Sequence, residues 1–189
     1  MRIAKQYKKH VFCLEGNWVS DLRDKSTIQA ALDFLNVNCD IKHIRKNAVT
    51  KDSVKYYLKK WKQKKYKDYS ICYFAYHGKP GYIEVGNETM TLEELADVLE
   101  NSCENKIIHF GSCLTLAVSN ARLKKFLEKT KALCICGFKE EIGFLTSSVF
   151  DMILIEKFQK YKDVSCVDRD IKLYYQSLVE ILNFKIYYI

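Results

Sequence analysis

Apolar residues fall along this chain in short runs, and the runs alternate with amphipathic stretches almost to the end. The first run, about Lys9 to Glu15, is closed by Gly16 and predicts a strand. A loop over Asn17 to Lys25 leads to a helix near Ser26 to Leu35, with Ile28, Ala31, Leu32 and Leu35 on one face. A second strand is expected at about Asp40 to Arg45. A helix capped by Thr50 follows, with Val54, Tyr57, Leu58 and Trp61 at i, i+3, i+4 and i+7. Strand three covers Tyr69 to Tyr76. Tyr82 to Met90 reads as a small hairpin turning at Gly86-Asn87, and Thr91-Leu92-Glu93-Glu94 as a capping box opening a helix to about Glu100.

The alternation then continues. Strand four is Lys106 to Phe110, a helix covers Ser119 to Lys129, and strand five is Ala132 to Gly137. Helices are expected at Ser147 to Tyr161 and Val167 to Leu182. Phe184, Ile186 and Tyr188 alternate with Lys185 and Tyr187 as in a short closing strand. Strands three to five are apolar nearly throughout, as in strands covered on both faces. The expected fold class is therefore α/β, a three-layer α/β/α sandwich with a mostly parallel central sheet, formed by residues 1–189 as one domain.

Composition narrows the function classes. The sequence has one proline and seven glycines, with no linker-like tract or repeat. No apolar stretch is long enough to span a bilayer, and Val11 to Leu14 is too short for a signal-peptide core, so a cytoplasmic protein without membrane contact is expected. The net charge of +8 is concentrated between Lys51 and Lys67. A polyanion-binding patch is one reading. The solvated face of a helix is the preferred one, and a nucleic-acid partner is not expected. The eight cysteines include no CxxC pair. Cys134 and Cys136 share a strand face, but no histidine follows them, so neither a metal nor another cofactor is expected.

Chemistry concentrates at two strand ends. Ser70-Ile71-Cys72-Tyr73-Phe74-Ala75-Tyr76 stops at His77-Gly78, and Lys106-Ile107-Ile108-His109-Phe110 stops at Gly111-Ser112-Cys113. In a parallel sheet both ends reach one rim, where open α/β sheets place their sites. A thiol beside an imidazole is an activated nucleophile. All four histidines, His10, His43, His77 and His109, precede Cys113. That order excludes papain-like enzymes and class I amidotransferases, which need a later histidine. The arginine that a cysteine phosphatase needs six residues after its cysteine is Ser119 here. His109 lies within its strand and reads as a core histidine. Cys13 and Cys136 lie near strand ends without a histidine-bearing partner motif. Backbone N–H groups of Gly78 and Cys113 are the candidate oxyanion donors.

At these residues the chain resembles the caspase-like cysteine peptidases (caspases, metacaspases, clostripain-type enzymes, separase), and most closely the bacterial CHAT-type domains. Ile71 to Gly78 matches their apolar strand ending in His-Gly, and Ile107 to Cys113 their strand ending in a small residue and Cys. The intervening hairpin and helix, and the region Cys136-Gly137-Phe138, fit the CHAT pattern too. The resemblance implies a caspase-like fold with His77 as acid/base, Cys113 as nucleophile and Gly78 in the oxyanion hole. It implies a protein substrate and control by an activating partner protein or a small signalling ligand, as in bacterial effectors of stress or antiphage programmes. One departure is plain: the Asp that metacaspases carry two residues before the cysteine, to read basic P1 residues, is Gly111. Asp21, Arg23 and Asp24, or Glu140 and Glu141, could line a pocket, though solvated loops are the preferred reading, and the substrate-binding residues stay unassigned. Two rival readings are a catalytically inactive binding or scaffold module of the same fold and a flavodoxin- or receiver-like signalling domain. For the latter, Glu15-Gly16-Asn17-Trp18-Val19-Ser20 lacks the glycine density of a phosphate-cradling loop.

Overall fold

The computed structural model describes residues 7–189. A six-stranded sheet runs β2-β1-β3-β7-β8-β9. Its strands are β1 (Val11–Glu15), β2 (His43–Asn47), β3 (Ile71–Ala75), β7 (Ile107–Phe110), β8 (Cys134–Phe138) and β9 (Phe184–Tyr187). All neighbours are parallel except β8 and β9. A second, antiparallel sheet is formed by β4 (His77–Lys79), β5 (Tyr82–Val85) and β6 (Glu88–Thr91).

Two apolar cores flank the large sheet, giving the expected three layers. On one face, Phe12, Leu14, Phe74 and Phe110 pack against α2 (Lys51–Trp61), α3 (Leu92–Val98) and α4 (Asn120–Thr130). On the other, Val11, Tyr73 and Cys136 pack against α1 (Gln29–Cys39), α5 (Phe144–Lys160), α6 (Val164–Tyr174) and α7 (Gln176–Ile181). Crossover handedness explains the sorting. The step from β1 to β2 runs towards one edge, and its helix α1 covers one face. The steps to β3, β7 and β8 run the opposite way, and α2, α3 and α4 cover the opposite face. A constant right-handed crossover requires that reversal.

Several element boundaries differ from expectation, each for a local reason. Helix α1 begins at Gln29 rather than Ser26, because Thr27 and Ile28 turn inward to bond the carboxylate of Glu15. It runs on to Cys39 and closes at Asp40, whose φ of 52° is left-handed, so β2 starts at His43 and not Asp40. Helix α5 begins at Phe144. Ser147 and Ser148, expected to open it, instead bond back to the Phe144 carbonyl from inside the helix. The expected single helix Val167 to Leu182 is two, α6 and α7, broken at Tyr175 (φ −131°, ψ 29°). The hairpin gains a third strand, since His77–Lys79 pairs with β5. Thr50 and Thr91 both cap as expected, each in a capping box. No helix among the described residues is long and apolar enough to cross a membrane.

One polar cluster is sealed inside the second core. Asp151 of α5 accepts from the Tyr73 hydroxyl (2.6 Å) and from His109 Nε2 (2.8 Å), and His109 Nδ1 lies 3.4 Å from Cys136 Sγ. All four residues are buried. His109 is the core histidine expected. Cys136, expected to lack a histidine partner, has His109, because neighbouring parallel strands place residues 109 and 136 side by side. Burial, aided by the neighbouring carboxylate, raises the Tyr73 hydroxyl well above its ordinary pKa, and burial with Cys134 alongside does the same to the Cys136 thiol, so both stay protonated. Leaving a buried donor without its acceptor typically costs about 1–3 kcal/mol. Asp151→Ala strands two donors, Tyr73 and His109, and is expected to lower the unfolding free energy by about 2–5 kcal/mol in urea titration. Asp151→Asn, which keeps an acceptor for one donor, should lose less.

Candidate active site

The chain leaves β1, β3 and β7 at one edge of the sheet, and there it diverges. The loop after β1 leads to α1 on one face, while the chain after β3 turns to the small sheet and α3 on the other. Such a divergence opens a crevice beyond the carboxyl ends of the strands. His77 and Cys113 both line one cavity in it, of about 450 Å³, together with Gly78, Glu84, Glu141 and Ile142. The two residues singled out from sequence are thus brought together.

The imidazole is held from the far side, by the loop after β1. His77 Nε2 donates to the Trp18 carbonyl at 2.6 Å, and the Trp18 ring meets the imidazole edge-on with centroids 5.4 Å apart. Using Nε2–H this way leaves Nδ1 as the acceptor of the neutral ring. Trp18 is fixed in turn by Glu15, the buried last residue of β1. The Glu15 carboxylate accepts from Trp18 Nε1 (2.6 Å), Thr27 Oγ1 (2.9 Å) and the Ile28 N–H (2.8 Å), and pairs with Arg45. Sequence reasoning missed Glu15 and Trp18. The available signal was an acid closing an otherwise apolar strand, a costly burial unless several donors converge on it.

The thiol sits on a tight turn. Cys113 is half-buried, and Leu114 beside it has a left-handed φ of 58°. Its Sγ faces the backbone of Ile142, 3.5 Å from the N–H and 3.7 Å from the carbonyl. Among the described residues the Cys113 N–H has no acceptor, which suits it to receive an oxyanion. Gly78 lies against this turn: a Cβ there would come within 2.3 Å of Thr115 Oγ1 and 2.6 Å of the Cys113 carbonyl. No larger residue fits without moving the turn. At Gly111 a Cβ would meet the Tyr73 ring at 2.4 Å. That position therefore has no room for the carboxylate metacaspases place there.

Cys13, Cys72 and Cys103 are buried outright. Burial pushes the thiols of Cys13 and Cys72 well above their ordinary pKa, and that of Cys103 to about 11. Of the loop acids, Asp21 and Asp24 border an adjoining cavity of about 430 Å³ that shares Trp18 with the site. Glu140 accepts from Asn183, whereas Glu141 lines the His77–Cys113 cavity itself. No group of three or more His, Cys, Asp or Glu residues among the described residues is placed to hold a metal ion.

The fold and this crevice define an α/β/α protein with a thiol and an imidazole at its switch point. By sequence the chain belongs to a family of unknown function, DUF6642, whose model matches residues 8–188. No curated protein matches it.

Every partner of Glu15 is a donor, and a glutamine would turn its own amide donors towards them. Glu15→Gln is expected to cost about 2 kcal/mol in urea unfolding. It should also raise acrylamide quenching of Trp18 emission, as the loop loosens.

Proposed function

We propose that this chain is a cysteine endopeptidase of the caspase-like kind, with Cys113 as nucleophile and His77 as acid/base. The observation that carries the reading is the shared cavity of His77 and Cys113, with His77 Nε2 already committed to the Trp18 carbonyl. In the reaction, the Cys113 proton passes to His77 Nδ1 and the thiolate adds to the scissile carbonyl carbon. The oxyanion is received by the Cys113 N–H, with Gly78 leaving room for it; one such donor is typically worth about 3 kcal/mol. Collapse expels the amine, protonated by His77, and leaves a thioester. Water then gives a proton to His77 and adds to the thioester, and the carboxylic acid departs as the thiol is restored. None of these steps uses a cofactor.

The contacts between Cys113 Sγ and Ile142 favour a resting state, in which the loop between β8 and α5 occupies the sulfur. An activating protein or small ligand that draws Ile142 away would free it, in keeping with a regulated effector.

Thiol reactivity tests the reading first. Cys113 is only half-buried and its two long contacts to Ile142 exchange readily, so a small reagent reaches the sulfur even at rest: iodoacetamide at about pH 6–7, below the ordinary thiol pKa, should label Cys113 rapidly in the folded protein and slowly after His77→Ala. Cys13, Cys72 and Cys136 should stay unlabelled by peptide mapping. Equally slow labelling of Cys113 in both proteins marks an inert binding module instead. Cells expressing wild type should then show new protein N-termini that are absent with Cys113→Ala. If the two sets of N-termini are identical, the peptidase reading fails.

A further inference from the structure

A third cavity lies away from the crevice, between the outer strand β2 and helix α2. Its volume is about 350 Å³, within the ~300–1,000 Å³ usual for small-molecule sites. Phe12, Ile44 and Trp61 form an apolar floor, with the Phe12 and Trp61 rings stacked at 5.5 Å. The walls carry Tyr56, Tyr57 and Tyr66 together with Lys46, Lys60 and Lys65. Among the described residues no carboxylate borders it. The ion pairs nearest in sequence, Arg45–Glu15 and Lys51–Glu94, leave these three lysines out.

Two of the lysines lie over tyrosine faces. Lys60 Nζ is 5.4 Å from the Tyr56 ring centroid, and Lys65 Nζ is 5.0 Å from that of Tyr66. These ammonium groups could turn to an incoming anion without breaking an ion pair. The ring faces they vacate are surfaces on which a flat ring can stack. Tyr56 is 55% exposed and stands edge-on to Tyr57. Tyr56 thus presents an exposed ring face beside the cavity's lysines.

We propose that this cavity binds a nucleotide unit, its base stacked on Tyr56 and Tyr66 and its phosphate held by Lys46, Lys60 and Lys65. The unit comes either from a free nucleotide or from a single strand of nucleic acid. The inference does not rest on the peptidase reading.

Fluorescence anisotropy on the full chain tests it, with a short fluorescein-labelled oligothymidylate as probe and ATP, thymidine triphosphate or inorganic pyrophosphate as competitors. Saturable binding is expected, weakening steeply as salt rises from about 50 to 200 mM. Tyr56→Ala should weaken it about 5- to 150-fold, the range of one lost stacking contact, and Tyr56→Phe should restore it. Lys60→Glu should weaken it about tenfold or more, while Lys131→Glu, at the far end of α4, should not. Competition by the triphosphates indicates a free nucleotide, and binding of the strand alone indicates nucleic acid. The proposal is overturned by no binding at low salt, by equal losses in Lys60→Glu and Lys131→Glu, by an indifferent Tyr56→Ala, or by pyrophosphate competing as well as ATP. These side chains are exposed, so an unchanged thermal midpoint separates lost binding from lost folding.

Discussion

The parallel pairing of β3 with β7 is the constraint on which the crevice depends. The last paired residues are Phe74 and Phe110, and His77 and Cys113 each lie three positions beyond them. Both strands are buried on both faces. A slip of one residue would therefore push the large rings of Phe74 and Phe110 into the opposite core and turn His109 away from Asp151. The same packing that fixes the register also fixes how far each chain extends before it turns. Two side chains 36 positions apart in sequence (113 − 77) thus emerge at the same level of the sheet.

Two buried carboxylates then fasten what the sheet has aligned. Asp151 ties α5 to β3 and β7 through Tyr73 and His109, which sets where the loop ahead of α5 meets Cys113. Glu15 ties the loop after β1 to its own strand and to Arg45, which sets where the Trp18 carbonyl meets His77. Burying a carboxylate is unfavourable unless donors converge on it. Among the described residues Glu15 has four partners and Asp151 two. The tyrosine ring ordered by Asp151 also covers Gly111, so the polar cluster in the core and the small residue before the site cysteine answer to one another.

Periodicity made the layers legible, because strands buried on two faces and helices buried on one write different patterns. The His77–Cys113 pair was legible because each residue interrupts an apolar run at its end. What stayed hidden depends on contacts between segments distant in sequence. Nothing near Trp18 signals that its carbonyl will meet a ring at position 77, and nothing near Cys136 signals His109 across the sheet. Boundaries slipped where hydroxyls had two options. Ser147 and Ser148 bond within α5 rather than capping it, and Thr27 turns to Glu15 rather than opening α1. The basic character of α2 was visible, but its cavity needed β2 alongside it.

His77 and Cys113 are held asymmetrically, and the asymmetry bears on how such a site could be switched. The imidazole is locked by a 2.6 Å bond to a carbonyl that is itself anchored by a buried acid. Among the described residues the thiol is held by two long sulfur contacts, at 3.5 and 3.7 Å, to one residue of an exposed connection. Sulfur is a weak donor and a weak acceptor, so these contacts cost little to exchange. A substrate carbonyl entering the cavity would compete directly with the Ile142 backbone for the same atom. Moving His77 would instead require breaking the Trp18 contact and disturbing the Glu15 cluster behind it. Any control acting on this crevice therefore meets least resistance at Ile142, on the side of the thiol.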